Sequence, residues 1–571
     1  MKVFSDITSR NELATFLGVK RSTLTYLLYK KDPEHCYSSF FIPKKNGGQR
    51  EISVPSNDLK TVQRKLASAL WTHQKNIWNT SHKRPNISHA FEKGKSIITN
   101  ANIHKNKRFV LNLDLENFFG SFHFGRVCGF FEKNRHFQLP RKVAIIIAQI
   151  ACHNGCLPQG APSSPIITNL ICQIMDIRLL KIAKKYKMDY TRYADDLTFS
   201  TNRSAFLNEQ SSFIKELTEE IDRSGFKLNE KKTRLFFKSS RQEVTGLTVN
   251  KKLSINSEYV RTTRAMAYRL YTQGKFEIGG EAGTIAQLEG RFAYIDQLDH
   301  HNNKCDGKKH DYWSLNGREK QYQAFLFYKY FFANKKPLIV TEGKTDVRYL
   351  KAALKAKHQE YPKLVKKISN NQYIFKISFL EKSKRLKYFL NIIPDGAGAL
   401  NNIYYYYSGA NNHPNLYCKF QKLSNNNPTN PVILFFDNES QSKDKPLKKF
   451  LNSDSLKDIR EKVRAQIKKD NYSLLIPDSG LYLIVPPLAS NQKECEIEDL
   501  FPQQVLDHII NGKSFHRGDK FDNTKYYGKE VFSKYIMANY QSLDFSGFKP
   551  LLDMLNTLIS SYSNDSLKKN S

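Results

Sequence analysis

The sequence predicts a multidomain α/β chain. Its 571 residues allow about three or four folding units at roughly 150 residues each. The composition is 40% hydrophobic and 12% aromatic, enough for large cores and against dominant disorder. Strand-like apolar runs and helical patterns also occur in two separate stretches, one ending near residue 255 and one opening at Pro337, and in both the apolar runs end in carboxylates.

Residues 9–30 read as two short packing helices around Gly18, with Leu13, Leu17, Leu24 and Leu27 on their apolar faces. Residues 38–56 read as a hairpin: Phe40, Phe41 and Ile42 precede the turn residues Lys44-Lys45-Asn46-Gly47-Gly48, and Glu51-Ile52-Ser53-Val54 returns. A helix over 57–80 follows, then mixed α/β structure. Residues 258–333 look helical and basic. Leu338-Ile339-Val340 and Val432 to Phe436 read as strands, with a helix over 345–356 between them. The tail from Ser563 is expected to be disordered. These patterns divide the chain at 1–257, 258–334, 335–505 and 506–571.

A formal net charge of +36 points to a polyanionic partner. Nucleic acid is the first candidate, because neutralised phosphates release counterions. Eight cysteines at irregular spacing suit a reduced, cytoplasmic protein better than a disulfide scaffold. The first residues, MKVFSDITSRNELATF, hold no apolar signal core. The longest apolar stretch, Val143 to Cys152, is too short to span a bilayer, so no membrane association is expected.

The first chemical signal is a strand-like run, Arg108 to Leu113, ending at Asp114. The second is Tyr193-Ala194-Asp195-Asp196, with strand character on both sides. Adjacent aspartates in an apolar hairpin are unfavourable unless a cation neutralises them. Three carboxylates brought together can hold two Mg²⁺ ions, which suits in-line displacement at a phosphate.

Further segments occur in a set order. Asp114 is followed by Phe118-Phe119. Leu157-Pro158-Gln159-Gly160-Ala161-Pro162-Ser163-Ser164-Pro165 comes next, then Tyr193 to Asp196, then Gly225-Phe226 with Asn229 and Lys232-Thr233. Over residues 40–250 this set resembles the reverse transcriptase family. The resemblance implies a right-hand polymerase of fingers, palm and helical thumb. It implies that Asp114, Asp195 and Asp196 bind Mg²⁺. Phe119 would then exclude a ribose 2′-hydroxyl, Gln159 and Gly160 would line the dNTP pocket, and Lys232 would act on the leaving phosphate.

Asn100-Ala101-Asn102-Ile103-His104 and Val244-Thr245-Gly246 resemble two elements of retron reverse transcriptases. That likeness implies a bacterial cytoplasmic enzyme that selects its own structured non-coding RNA. It would prime from a 2′-hydroxyl of that RNA and leave a branched RNA–DNA product. Asn100, His104, Val244, Thr245 and Gly246 would then contact RNA, and thumb cations such as Arg261 and Arg264 would track phosphates.

The second stretch carries another acidic set. Glu342-Gly343-Lys344-Thr345-Asp346 follows one strand, and Asp437-Asn438-Glu439 follows another. Open α/β sheets place their sites at the carboxyl ends of strands. Glu496, Glu498 and Asp499 form a third acidic group. This order resembles the TOPRIM domain of topoisomerases, primases and OLD-type nucleases, with Glu439 where the second aspartate of that motif is usual. The resemblance implies a nuclease holding one or two Mg²⁺ through Glu342, Asp437 and Glu439. Fused to a retron enzyme, it implies an anti-phage effector acting with the RNA–DNA product, in a homo-oligomer. A non-catalytic scaffold for the branched product is the alternative.

Overall fold

The computed structural model describes residues 4–31, 33–44, 47–81, 86–308, 312–393, 396, 398–424, 428–442, 444–488, 492–518 and 520–569. They form two compact units, Met1–Ser257 and Glu258–Ser571.

The first unit opens with short helices Arg10–Phe16 and Arg21–Thr25. Strands β1 (Tyr37–Pro43) and β2 (Gln49–Pro55) pair antiparallel, Tyr37 opposite Pro55; Lys45 and Asn46 of their turn lie outside the described residues. After the helix Asn57–Ser81 comes a four-stranded antiparallel sheet in the order β4-β5-β3-β6. Its strands are β3 (Phe109–Asp114), β4 (Asp189–Tyr193), β5 (Asp196–Thr201) and β6 (Arg234–Phe237). All of β3 is buried except the partly buried Asn112, as expected for a central strand. Leu111, Leu113 and Phe199 share a core with Leu179 and Phe213 of the helices Ser164–Lys185 and Phe206–Arg223. A small hairpin, β7 (Glu243–Val244) and β8 (Leu247–Thr248), packs against the helix Ile97–Ile103.

The second unit starts with the helices that follow Ser257 and a two-stranded ribbon, β9 (Glu277–Ile278) and β10 (Glu281–Ala282). Next come β11 (Leu338–Thr341), the hairpin β12 (Val365–Ser369) and β13 (Gln372–Phe375), and β14 (Ser378–Phe379). Then follow β15 (Val432–Phe435), β16 (Tyr472–Leu474) and β17 (Leu481–Ile484). Five of these form a sheet in the order β14-β11-β15-β17-β16, parallel throughout except for β16. β11 and β15 are buried along their whole length, which suits a parallel sheet covered on both faces.

Successive strand residues point to opposite faces. Leu338, Val340, Val432 and Leu434 therefore enter one core with Leu288, Phe292 and Tyr322 from the preceding helices. Ile339, Ile433 and Phe435 enter the other core with Tyr349, Phe532, Leu551 and Leu555. Segments expected as thumb, TOPRIM-like domain and C-terminal extension are thus layers of a single unit. The last helix runs from Lys549 to Lys569. Among the described residues, no helix is long and apolar enough to cross a membrane.

Candidate active sites and the nucleic-acid surface

β3 and β5 place Asp114 directly opposite Asp196. β4 and β5 close on Tyr193 opposite Asp196, leaving Ala194-Asp195 as a two-residue turn. Ala194 has φ +59°, left-handed backbone that an L-residue adopts only with strain. The turn is tied down at both ends. The Leu115 amide donates to the Asp195 carbonyl at 3.0 Å. The Arg192 guanidinium donates to the Ala194 carbonyl at 3.2 Å.

Arg192 is fully buried. Nε and Nη2 each lie 2.8 Å from an oxygen of Asp176, which also accepts from the Tyr190 hydroxyl at 3.0 Å. A bidentate pair of this kind fixes both the position and the angle of the strand before the turn. Sequence reading missed it, since Asp176 and Arg192 lie on different elements and share no motif.

At the strand ends the Lys232 ammonium bridges both oxygens of Asp114, at 2.9 and 3.0 Å. The Asn229 side-chain amide lies 3.4 Å from the same carboxylate. Asp195 is raised above the ordinary carboxylate range by burial and, more weakly, by Asp114. Asp196 is pushed up to about 7 by loss of water, then by Asp195 and Asp114. Mutual repulsion among hard oxygen donors is what a divalent cation relieves. Asp114, Asp195 and Asp196 offer the oxygen donors that suit Mg²⁺, and Lys232 occupies both oxygens of one of them. As they stand, no three such groups among the described residues converge tightly enough to hold a metal ion.

Gly160 has φ +120°, and a Cβ there would stand 2.6 Å from the Ser53 carbonyl oxygen. The Ser53 amide donates to the Gln159 carbonyl at 2.8 Å, so the loop lies directly on β2. Gln159 and Phe119 are partly buried, and Phe119 packs edge-on against the buried Phe118 with ring centroids 5.5 Å apart.

The structure corrects part of the expected RNA surface. His104 is fully buried, 2.7 Å from both the Ser200 and the Thr191 hydroxyls behind the sheet. Burial lowers its pKa to about 3, so it is a neutral packing group. Asn100 and Val244 are buried as well. Asn102 is exposed between Asn100 and His104, and in the turn between β7 and β8 Thr245 at φ +47° is partly buried and Gly246 at φ +81° is exposed. In the second unit, Arg261, Arg264, Tyr268 and Arg269 lie exposed on the helix Ser257–Gln273, whose opposite side buries Met266 and Leu270.

The second acidic group lies at the carboxyl ends of β11 and β15. The Asp437 amide is 3.4 Å from Glu342 Oε1, and Asp437 Oδ1 accepts from the Ile497 amide at 3.1 Å. Glu342 is pushed up to about 7 by burial and by Asp346. Asp437 is raised well above the ordinary carboxylate range, by burial and then by Asp346 and Glu342. Glu439 pairs closely with Lys445, which also reaches Glu496 at 3.5 Å. Lys529 lies 3.2 Å from both Glu496 and the buried Glu498. Lys445 and Lys529 had no place in the sequence reading of this site. Asp346 had looked like part of a motif, but its side chain caps its own helix by accepting from the Gly343 amide at 2.9 Å. Glu342 and Asp437 are oxygen donors of the kind that suit Mg²⁺ and Glu439 is held by its lysine, but among the described residues no three such groups converge tightly enough to hold a metal ion.

Paired aspartates at the tip of a hairpin, opposite a third on the central strand of an antiparallel sheet, define a polymerase-type palm. Residues 42–249 match the family model described as reverse transcriptase (RNA-dependent DNA polymerase). The retron Ec86 reverse transcriptase of Escherichia coli is 32% identical, over 50% of this chain and 82% of its own length. The retron Mx162 reverse transcriptase of Myxococcus xanthus is 31% identical, over 52% of this chain and 65% of its own length, just under two thirds. The chain belongs to the retron reverse transcriptase family. Among solved structures, a telomerase from Candida albicans in complex with a telomeric RNA fragment aligns with 52% of this chain and 60% of its own. That alignment has 12% identity and a TM-score of 0.31, too slight a likeness to bear on the fold.

Proposed function

We propose that the first unit is an RNA-directed DNA polymerase that copies part of its own structured non-coding RNA, leaving branched RNA-linked DNA. The observation that carries this is the opposition of Asp114 and Asp196, with Asp195 at the turn beside them. Mg²⁺ held by these three carboxylates would polarise the reacting phosphate and 3′-hydroxyl. Lys232, released from Asp114, donates to the leaving phosphate. Phe119 stands against the sugar of the dNTP and rejects a 2′-hydroxyl. Gly160 lets the nucleotide approach the backbone, with Gln159 beside it. The Thr245-Gly246 turn selects the cognate RNA, and Arg261 and Arg264 track phosphates. The setting is the bacterial cytoplasm.

The second unit then acts as a TOPRIM-type nuclease in anti-phage defence, as a homo-oligomer with the RNA–DNA product. Glu342, Asp437 and Glu439 would hold Mg²⁺. Glu342 doubles as the general base, a role that its pKa of about 7 supports. The competing reading is a scaffold that only holds the branched product. The pairing of Glu439 with Lys445 and of Glu498 with Lys529 favours that reading, because it neutralises acids without a metal.

Asp195→Asn with Asp196→Asn is expected to abolish branched DNA while RNA binding survives; normal product from this variant refutes the polymerase. Glu342→Gln, or Asp437→Asn with Glu439→Gln, is expected to remove phage protection at unchanged DNA yield. Protection that persists with all three carboxylates neutralised favours the scaffold.

A further inference from the structure

Beside the acidic centre of the second unit lies a groove of about 1160 Å³, larger than the roughly 300–1,000 Å³ of most small-molecule sites. The helices Lys344–Ala356 and Lys529–Ala538 and the strands β13 and β14 contribute to its walls. Six cations line it: Lys336, Lys344, Arg348, Lys351, Lys382 and Lys534. Among the described residues, Glu381 is the one carboxylate in that lining. Ile374, Phe375 and Phe379 line it too, and Ile374 is exposed. One end of the groove meets the acidic centre, where the Lys382 ammonium donates to the Glu342 carbonyl at 2.8 Å.

Three of the cations converge on a single carboxylate. Glu530 lies 3.0 Å from the Lys344 ammonium, 3.1 Å from the Arg348 guanidinium and 3.2 Å from the Lys534 ammonium. They hold its carboxyl down at about 2, Arg348 most strongly. The cluster is not needed to join its two helices. Tyr349 of one and Phe532 and Ile536 of the other already share a buried core. Exposed ion pairs add little to such a contact. The side chains of Lys344 and Lys534 are both 65% exposed and that of Glu530 39%, so all three are open to a ligand. A carboxylate ringed by three cations stands where a phosphate can stand.

Clustered cations suit any polyanion. Apolar and aromatic side chains beside them suit unpaired bases, which a duplex keeps inside its own stack. We propose that this groove binds a single-stranded nucleic acid, with a phosphate on Lys344, Arg348 and Lys534 in place of the Glu530 carboxylate and bases against Ile374, Phe375 and Phe379. Glu530 is then a built-in competitor that the strand displaces. The proposal rests on the reading of the second unit as a nuclease or scaffold for nucleic acid, and it names the ligand of that unit as an unpaired strand led to Glu342.

The test uses the full chain in EDTA, where no metal-dependent cleavage occurs, with short single-stranded DNA or RNA bearing iodouridine. Photo-crosslinking and peptide mapping read the groove separately from the palm, as adducts within residues 372–382 or 529–538. Adduct yield against strand concentration gives the affinity of the groove, and its DNA and RNA arms tell which strand is preferred. Glu530→Gln, nearly isosteric, is expected to tighten binding about threefold, the worth of a lost exposed ion pair. Lys534→Gln is expected to weaken it about tenfold and to lower its log–log salt dependence by about 0.7, as for one phosphate contact on a single strand. A blunt duplex of the same length is expected to give little adduct. The proposal is overturned by single strands that leave no adduct in the groove, by a duplex that matches them, or by a Glu530→Gln variant that binds no tighter. Should that variant fail to fold, Lys534→Gln decides alone, and unchanged affinity overturns the proposal. Cleavage is not read, so a second unit without nuclease activity still passes, and a groove that fails leaves phage protection to judge the nuclease.

Discussion

Lys232 grips Asp114 through both carboxylate oxygens, at 2.9 and 3.0 Å. Its side chain is half-exposed and Asp114 is largely buried, so the lysine is the partner free to leave. An ammonium placed there competes with any cation that needs the same two oxygens. Lys232→Met should therefore lower the Mg²⁺ concentration needed for half-maximal DNA synthesis. The same change should reduce kcat by about 10²-fold through loss of a proton donor to the leaving phosphate. Steady-state kinetics over a Mg²⁺ titration separates the two effects. A higher Mg²⁺ requirement would show that the lysine assists metal binding.

Asp196 makes a pH-dependent contribution of definite sign. Its carboxyl sits at about 7 in the folded chain against an ordinary 3.8. Between those values the folded state holds a proton that the unfolded state has released. Metal-free stability must therefore fall as pH rises through this window, with the full loss present above 7. Asp196→Asn cannot ionise, so metal-free protein should melt about 1–3 °C higher than the parent at pH 8. Near pH 4 the two should melt together. In the parent, Mg²⁺ affinity should drop as pH falls below 7, because binding needs the ionised carboxylate.

Gly160→Ala is expected to damage the fingers without touching a carboxylate. Its Cβ would sit 2.6 Å from the Ser53 carbonyl, against backbone rather than a movable side chain. Relief requires shifting β2, at about 1–3 kcal/mol. The KM for dNTP should rise with the loss of stability, and chemical denaturation beside kinetics measures both.

Arg192→Leu leaves Asp176 as a buried, unpaired charge. Breaking such a pair costs about 3–5 kcal/mol. Adding Asp176→Asn should recover much of the stability, because the orphan charge is gone. DNA synthesis should stay impaired in the double variant, since nothing then holds the Ala194 carbonyl. Full recovery of both would mean that the pair acts in packing alone.

Phe119→Ala should admit ribonucleotides, read as the ratio of ribonucleotide to deoxyribonucleotide incorporation. Phe118 should not substitute for it, being buried behind it. An unchanged ratio at retained activity would make Phe119 a core residue.

The palm was legible from the sequence because its signals are local. A turn of two residues between apolar runs, with acids at its tip, reads as a catalytic hairpin without knowledge of distant contacts. The short elements Asn100–His104 and Val244–Gly246 were legible as segments but not as surfaces. A polar residue in a brief motif does not reveal which way it faces, and His104 faces two hydroxyls inside the unit. Pairings over long separations were invisible for a different reason. Lys529 meets Glu498 across 31 positions with no periodic pattern between them. The packing of the second half was not legible either, because its strands bury alternate residues on both faces. Leu338 and Ile339 are neighbours in the chain, yet they commit the sheet to helices from both ends of the unit.

The shared architecture of that unit has a bearing on how the protein is made. The first unit is complete once residue 257 has been synthesised, so it can fold while translation continues. The second cannot, since one face of its sheet stays bare until Leu551, Leu555 and Leu558 arrive to cover it. The acidic centre at the ends of β11 and β15 thus matures last on the ribosome. A nascent chain can therefore acquire its palm before it acquires the acidic centre of the second unit.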